Sequence, residues 1–438
     1  MYLAGRGTPS GTPVGDGDTP STGVRSAGIR TTVRIVSGTV LALGTVSLIT
    51  DISSEMITAV LPLYLVVGLG LSPLSFGVLD GLYNGVAGLV QLLGGHLADR
   101  GRRHKLVAGL GYGLSALCRP LLLIAHTLTP LGAILALDRT GKGLRTSPRD
   151  ALISLSSEPE HRGRAFGVHR AMDTAGAALG PITAFLILRQ AANGYDAVFG
   201  VSGCVAALGV LVLILFVPGR PPRAERQAAE PRKAVNLREA ADLLRLPRLR
   251  ALTGCSMLLG LTTISDAFVY LLLQHRAGIA DQWFPLLPLG TASVFLLLAV
   301  PVGALADKVG RRGVFLAGHG ALLLGYALLL WAPATPALPF LVLALHGTFY
   351  AATDGVLPAA VADVVPEALR GTGLALVGTG QALARFLCSL AFGAAWTAWG
   401  DGPALAGSAV GLLCCAVVAG VALRPTSTTP TPVPTSIR

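Results

Sequence analysis

Apolar residues run along this chain in long blocks separated by short polar, Gly/Pro-rich or charged breaks. Twelve blocks can be marked, near residues 36–67, 73–98, 105–126, 130–155, 163–188, 196–217, 249–274, 283–306, 313–332, 338–362, 372–398 and 403–423. Each is about as long as the roughly 20 residues an α-helix needs to cross hydrocarbon. None shows the strict alternation of a barrel strand. The pattern predicts an all-α polytopic membrane protein with 12 transmembrane helices in two pseudo-symmetric six-helix bundles, residues 36–217 and 249–424. The remaining segments are polar. Residues 1–35, rich in Gly, Thr, Ser and Pro, and the Pro/Thr tail 425–438 are expected to be disordered. Residues 218–248 form a basic linker between the bundles, in which 236–246 has the makings of a short interfacial helix.

Composition removes the soluble alternatives. Hydrophobic residues make up 52% of the chain and charged residues 13%, about half the charge of an ordinary soluble domain. A water-soluble protein of 438 residues would need a polar skin that this composition cannot supply. The six Cys (Cys118, Cys204, Cys255, Cys388, Cys414, Cys415) lie in apolar runs without a C-x-x-C, which excludes a disulfide framework and a zinc module and reads as small core residues.

The net charge of +11 is unevenly placed. With both termini cytoplasmic, the inner segments collect Arg30, Arg34, the basic cluster of residues 100–105, nine Lys/Arg between 220 and 250, and Lys308, Arg311 and Arg312. The outer turns hold Arg189 and Arg276. That bias sets the orientation by the positive-inside rule. No aromatic-interleaved basic face accompanies it, so nucleic acid is not an expected partner. The expectation is a monomeric, multi-pass protein of the bacterial-type inner (plasma) membrane, in contact with the lipid bilayer.

The two halves repeat. Asp99 of Gly95-His-Leu-Ala-Asp-Arg and Asp307 of Gly303-Ala-Leu-Ala-Asp-Lys are 208 residues apart. The same offset links Leu135-Ala-Leu-Asp138 with Leu343-Ala-Leu-His346, and Arg162-Gly163 with Arg370-Gly371. A constant offset through three landmarks marks a duplicated six-helix unit, the architecture of secondary transporters with a site between the halves. The loop Gly303-x-x-x-Asp307-Lys308-x-Gly310-Arg311-Arg312 carries the pattern G-x-x-x-D-R/K-x-G-R-R, and Gly95-x-x-x-Asp99-Arg100-Gly101-Arg102-Arg103 carries it one residue short. On these residues the chain resembles the major facilitator superfamily from about residue 36 to 424. Physically, a carboxylate at a helix end can pair with Arg and with a neighbouring helix N-terminus, so the loop reads as a gate latch.

Two further patterns overlie charged residues. Leu135-x-x-x-Arg139-x-x-Lys142-Gly143 is similar to the family's span-4 pattern, with Lys in place of Gln, and there the resemblance implies proton coupling at Arg139. Gly167-x8-Gly176-x3-Gly180-Pro181 resembles the span-5 pattern of proton-driven exporters, and small residues with a Pro suit a helix hinge. The segments around Asp51, Gly141 and His169 look like a bacterial efflux-type subgroup. Gly141-Lys142-Gly143 also invites a nucleotide-loop reading, but position 136 is Ala and no Ser/Thr follows the Lys, so that reading is dropped.

Charge inside a membrane span is expensive and marks function. The first half holds Asp51, Glu55, Asp80, Asp138, Asp150 and Asp173 against Arg119, Arg139, Lys142, Arg145, Arg149 and Arg170, with His169 alongside. Six acids against six bases predict a paired network. Asp51 and Glu55 share a helix face, and Asp138, Lys142, Arg145 and Arg149 step by 4, 3 and 4 along another. The second half offers only Asp266, Asp354 and Arg385 as clear intramembrane charges, which places ion coupling in the first. The reading that follows is a secondary-active exporter, driven by the proton gradient without a bound cofactor and carrying a small-molecule substrate. The alternatives are a proton-coupled importer of an anionic metabolite, metal-ion efflux through Asp51, Glu55 and Asp173, and a non-transporting sensor or membrane enzyme. No nucleophile–base pair stands out, so an enzyme is not expected.

Overall fold

The structure, a computed structural model, describes residues 37–101, 104–158, 161–191, 194–218, 243–366 and 369–424. The expected disordered termini 1–35 and 425–438, and most of the linker 218–248, lie outside the described residues.

The first bundle comprises α1 (Gly38–Leu63), α2 (Pro73–Gly101), α3 (His104–Leu121), α4 (Leu128–Leu155), α5 (Arg162–Gln190) and α6 (Gly194–Phe216). The second comprises α7 (Pro247–Gly260), α8 (Asp266–Ala277), α9 (Leu287–Val309), α10 (Arg311–Trp331), α11 (Leu338–Thr353), α12 (Val356–Val364), α13 (Arg370–Trp399) and α14 (Asp401–Ala422). These fourteen helices make twelve crossings, because α7–α8 and α11–α12 each form one broken span. The seventh and tenth blocks were expected to be continuous over 249–274 and 338–362. The seventh breaks where Leu-Thr-Thr-Ile-Ser precedes Asp266, and there the freed Ile264 N donates to the Tyr326 hydroxyl oxygen at 2.9 Å. The tenth breaks at Asp354-Gly355.

Local chemistry explains the other ends. Ser37 begins α1 by accepting from Val40 N at 3.3 Å. Pro247 opens α7 at its first turn, where a missing N–H costs nothing. Gly310 at φ 101 separates α9 from α10 within one residue, a backbone turn only glycine makes without strain. Inside the spans, hydroxyls fold back on the helix, as Thr50 Oγ1 does to Val46 O at 2.8 Å, which satisfies their donors away from water.

Among the described residues, eight helical stretches are long and apolar enough to cross a bilayer by themselves, covering crossings 1, 5, 6 and 8–12. Crossings 3, 4 and 7 are charged, short or broken, and lean on their neighbours. Leu117, Ile124, Phe216, Leu297, Val300 and Phe340 are all more than 60% exposed, as lipid-facing side chains must be. Cys204 and Cys414 are exposed too. They are not the core residues expected of them, because a lipid face is as apolar as a core.

The bundles meet at one end. Ser389 and Phe386 of α13 pack against Gly77 and Gly81 of α2, so closely that an added Cβ at Gly77 would lie 2.4 Å from Ser389 O. Leu74 N donates to Thr397 Oγ1 at 2.9 Å. Phe268 of α8 takes edge contacts with Phe76 of α2 and Phe392 of α13, both at 4.8 Å between ring centres. Phe185 of α5 stacks on Trp283 at 4.8 Å. These contacts all belong to the end that carries residues 69–72 and 278–286.

Candidate functional site

Close packing of small residues builds the site before any charge is considered. An added Cβ at Gly111 of α3 would lie 2.6 Å from Gly141 O of α4, and one at Gly141 would lie 2.6 Å from Ser115 Oγ. Gly176 and Gly180 of α5 admit α1 in the same way, with Leu48 O at 2.5 Å and Glu55 Cβ at 2.6 Å from the missing Cβ atoms. Helix α5 runs unbroken through Pro181, and Gly167 faces open space. The glycines therefore set how near α1, α3, α4 and α5 come, and so bring their charged faces within bonding distance.

Asp138 is the centre of the deepest cluster. Its Oδ1 lies 3.0 Å from Arg119 Nη2 and its Oδ2 lies 2.8 Å from Arg139 Nη2, all three side chains being almost fully buried. Arg119 also donates to Ser54 Oγ at 3.0 Å. Arg139 lies over the Tyr83 ring at 3.6 Å, a cation–π contact that is strong because it is dry.

About two turns further along α4, Arg145 Nη2 lies 3.5 Å from Asp51 Oδ1 and its guanidinium covers the Tyr112 ring at 4.6 Å. Arg149 reaches Asp173 Oδ1 at 3.6 Å and Asp150 Oδ1 at 3.1 Å. Arg170, largely exposed, adds its Nη1 at 3.7 Å from Asp173 Oδ2. Ser47 Oγ gathers His169 Nε2 at 3.0 Å and Arg149 Nη1 at 3.3 Å. Asp51 and Asp173 face each other across α1 and α5 within reach of a shared proton. Glu55 and Lys142 lie in the same field but make no side-chain hydrogen bond or ion pair with a described residue.

Asp80 stands apart from this network. It accepts from Ser389 Oγ at 2.6 Å and from Asn84 Nδ2 at 3.2 Å, so it joins α2 to α13 across the two bundles. In the second bundle Asp266, the first residue of α8, accepts from Tyr350 Oη at 2.5 Å and lies 3.0 Å from His346 Nε2. Asp354 and Arg385 line a cleft with Ser256, Phe315, Phe349 and Gln381. Among the described residues no three His, Cys, Asp or Glu side chains come together as a metal site.

The loop residues fall into two groups. Arg311 pairs with Asp307 at 3.4 Å and with Asp363, and donates to Ala359 O at 2.8 Å. Arg312 donates to Gly420 O. All these partners belong to the second bundle. The side chains of Gly95, Asp99 and Arg100, and all of Arg102 and Arg103, lie outside the described residues.

Several partners were not picked out from the sequence: Ser47, Ser54, Tyr83, Tyr112, His346 and Tyr350. A signal existed for some. Ser47, Asp51, Ser54, Glu55 and Thr58 recur at helical spacing down an otherwise apolar α1. His346 and Tyr350 occupy, at the offset of 208, the places of Asp138 and Lys142.

Comparison with known proteins agrees with this architecture. The family description "Major Facilitator Superfamily" matches residues 43–389 and again 282–437. An uncharacterised MFS-type transporter of Methanocaldococcus jannaschii is 31% identical over 374 residues, covering 83% of this chain and 89% of that protein. An uncharacterised protein of Mycobacterium tuberculosis is 34% identical over 186 residues, 42% of this chain and 45% of its own length. Among solved structures, the nucleoside transporter NupG superposes with a TM-score of 0.77 at 15% identity, over 88% of this chain and 99% of that one. A bacterial homologue of the human lysosomal transporter Spinster, inward-facing and unoccupied, superposes at 0.72 with 16% identity, over 91% of this chain and 98% of that one. With its two bundles, their joint at one end and this match along nearly the whole sequence, the chain belongs to the major facilitator superfamily of transporters.

Proposed function

We propose that this transporter exports a small organic solute in exchange for protons, by alternating access of one central site. The observation that carries the reading is the carboxylate pair Asp51 and Asp173, set among Arg145, Arg149 and Arg170. Two carboxylates side by side repel, and a single proton between them removes the repulsion. Its arrival weakens the hold on Arg145 and Arg149, and its departure restores it. Asp51 and Asp173 sit on α1 and α5 of the first bundle, and both helices also touch the 281–286 segment of the second half, so in this reading proton occupancy and the seating of the two bundles are tied.

Direction rests on two supports. The span-5 glycines resemble those of proton-driven exporters. The closed end of the bundles is the end poor in Lys and Arg, so under the positive-inside rule the site opens to the cytoplasm. An exporter loads its cargo in that state. The same charge bias supports cytoplasmic termini, and a plasma-membrane location is part of the proposal. The solved neighbours described as nucleoside and peptide transporters fit a small organic cargo.

The test is proton flux in proteoliposomes with a pH-sensitive dye inside and cationic, neutral and anionic compounds supplied outside. Compound-evoked proton movement that disappears in Asp51→Asn, with the variant still monodisperse, is the expected result. Full flux in that variant removes Asp51 from the mechanism.

A further inference from the structure

The cleft between α7, α10, the α11–α12 break and α13 holds two charged side chains, Arg385 and Asp354, that no described residue binds directly. It holds about 80 Å³ of water-accessible space and opens at its mouth. Arg385 and Asp354 both line it and both are exposed to it. Neither side chain makes a hydrogen bond or ion pair with any described residue. They do not close on each other within the 4.0 Å of an ion pair, although they share one wall.

A guanidinium keeps its charge at any ordinary pH, and an unpaired charge within a membrane span marks a ligand or its path. Asp354 sits where α11 ends, so the free carbonyl end of that helix adds negative character beside it. Gln381 and Ser256 supply neutral hydrogen-bonding groups between the two charges, and Phe315 and Phe349 form an apolar wall.

We infer that this cleft binds a zwitterionic solute, with its anionic group on Arg385, its cationic group on Asp354 and its apolar body against Phe315 and Phe349. A simple anion would set its charge against Asp354, and a simple cation would do the same against Arg385. Only a solute bearing both charges satisfies both walls. The inference rests on the transport reading above and narrows its cargo to amino-acid-like compounds.

Calorimetric titration of the purified full chain in detergent tests it, using leucine, phenylalanine and alanylphenylalanine, each with its methyl ester and its N-acetyl form. At least one zwitterion should bind about tenfold or more tightly than both of its singly charged forms, because a site built for a polar group rejects the analogue lacking it. Arg385→Gln should erase the preference over the ester and leave the preference over the N-acetyl form. Asp354→Asn should do the reverse. Arg385→Lys and Asp354→Glu keep the charges and should keep the order of preference, which separates lost recognition from lost folding. Silence from all nine compounds, equal binding of charged forms, or preferences untouched by both neutral variants overturns the inference. The titration needs no gradient. Charge-selective binding without proton flux would therefore sink the coupling reading alone, and proton flux without charge selectivity would sink this one alone.

Discussion

In the first bundle Asp138 lies between two guanidiniums with every charge directly paired, whereas in the second Arg385 and Asp354 face a cleft and form no hydrogen bond or ion pair with a described residue. Both clusters lie at the level of the same repeated span, the fourth in one half and the tenth in the other. At equivalent positions the duplicated unit has kept Asp138 and Lys142 on one side and His346 and Tyr350 on the other. The first arrangement suits a network that changes its internal pairing as a proton comes and goes. The second suits capture of something from outside. Duplication supplied one scaffold, and on the proposed reading the distribution of ion pairs over it divides coupling from recognition.

The sharpest way to break that comparison is to remove one member from each cluster. Asp138→Asn leaves Arg119 and Arg139 buried without a carboxylate, and stranding a buried charge costs about 3 to 5 kcal/mol. A denaturation midpoint far below wild type, or failure to purify as a monodisperse species, is the expected outcome. Arg385→Gln removes a charge with no direct hydrogen-bond or ion-pair partner among the described residues and should leave the midpoint near wild type. If the two variants melt alike, the division between answered and unanswered charge is wrong.

Packing offers the next test, because the network exists only if α1 and α5 approach closely. Gly180→Ala places a methyl 2.6 Å from Glu55 Cβ and 2.9 Å from Ile52 O, and such overpacking costs about 1 to 3 kcal/mol. Proton-coupled flux should fall with stability as Asp51 and Asp173 are pushed apart. Gly167→Ala, on the same helix but facing open space, is its control and should behave as wild type. Equal behaviour of the two would mean that helix approach does not set the carboxylate geometry.

Much of this arrangement was legible in the sequence. Twelve apolar blocks, one repeat offset and a charge-rich first half are properties of the chain itself, and helix boundaries follow from them within a few residues. The partners were not legible. Asp138 and Arg139 are neighbours in sequence and would ordinarily point different ways, yet Arg139 curls back to its neighbour because Tyr83 of α2 provides a face to lie on. The breaks before Asp266 and at Asp354 were missed for a related reason. Hydropathy counts apolar side chains, and a broken helix keeps that count while Tyr326 satisfies the backbone it frees. Asp80 read as one more buried acid of the first half, but its donor lies 309 residues away on α13.

That contact joins the two bundles and so tests whether they are independent. Ser389→Ala removes the donor to Asp80 Oδ2 but leaves Asn84 Nδ2 on the other oxygen. The net loss should be about 1 kcal/mol, the usual worth of one hydrogen bond. It should appear as faster hydrogen exchange at residues 73–85 and 386–397, where α2 and α13 meet, with residues 128–155 unchanged. Faster exchange spread through α4 as well would show that the first bundle's network depends on its seat against the second.

The smallest effect is expected at the loop between α9 and α10, and it separates a fastening within one bundle from a latch between two. Asp307 is 68% exposed and lies 3.4 Å from Arg311 Nη2. Arg311 also holds Asp363 and Ala359 O, so Asp307→Asn leaves it two acceptors. An exposed ion pair is worth about 0 to 1 kcal/mol, and the melting midpoint should barely move. Arg311→Gln should cost more, because it releases α12 from α10 as well. Flux is the decisive reading. All the partners described for this loop lie in the second bundle, so a role confined to fastening predicts wild-type flux in Asp307→Asn. Altered flux at unchanged stability would mean that Asp307 finds a partner on the first bundle when the open end closes, which is the latch its sequence motif implies.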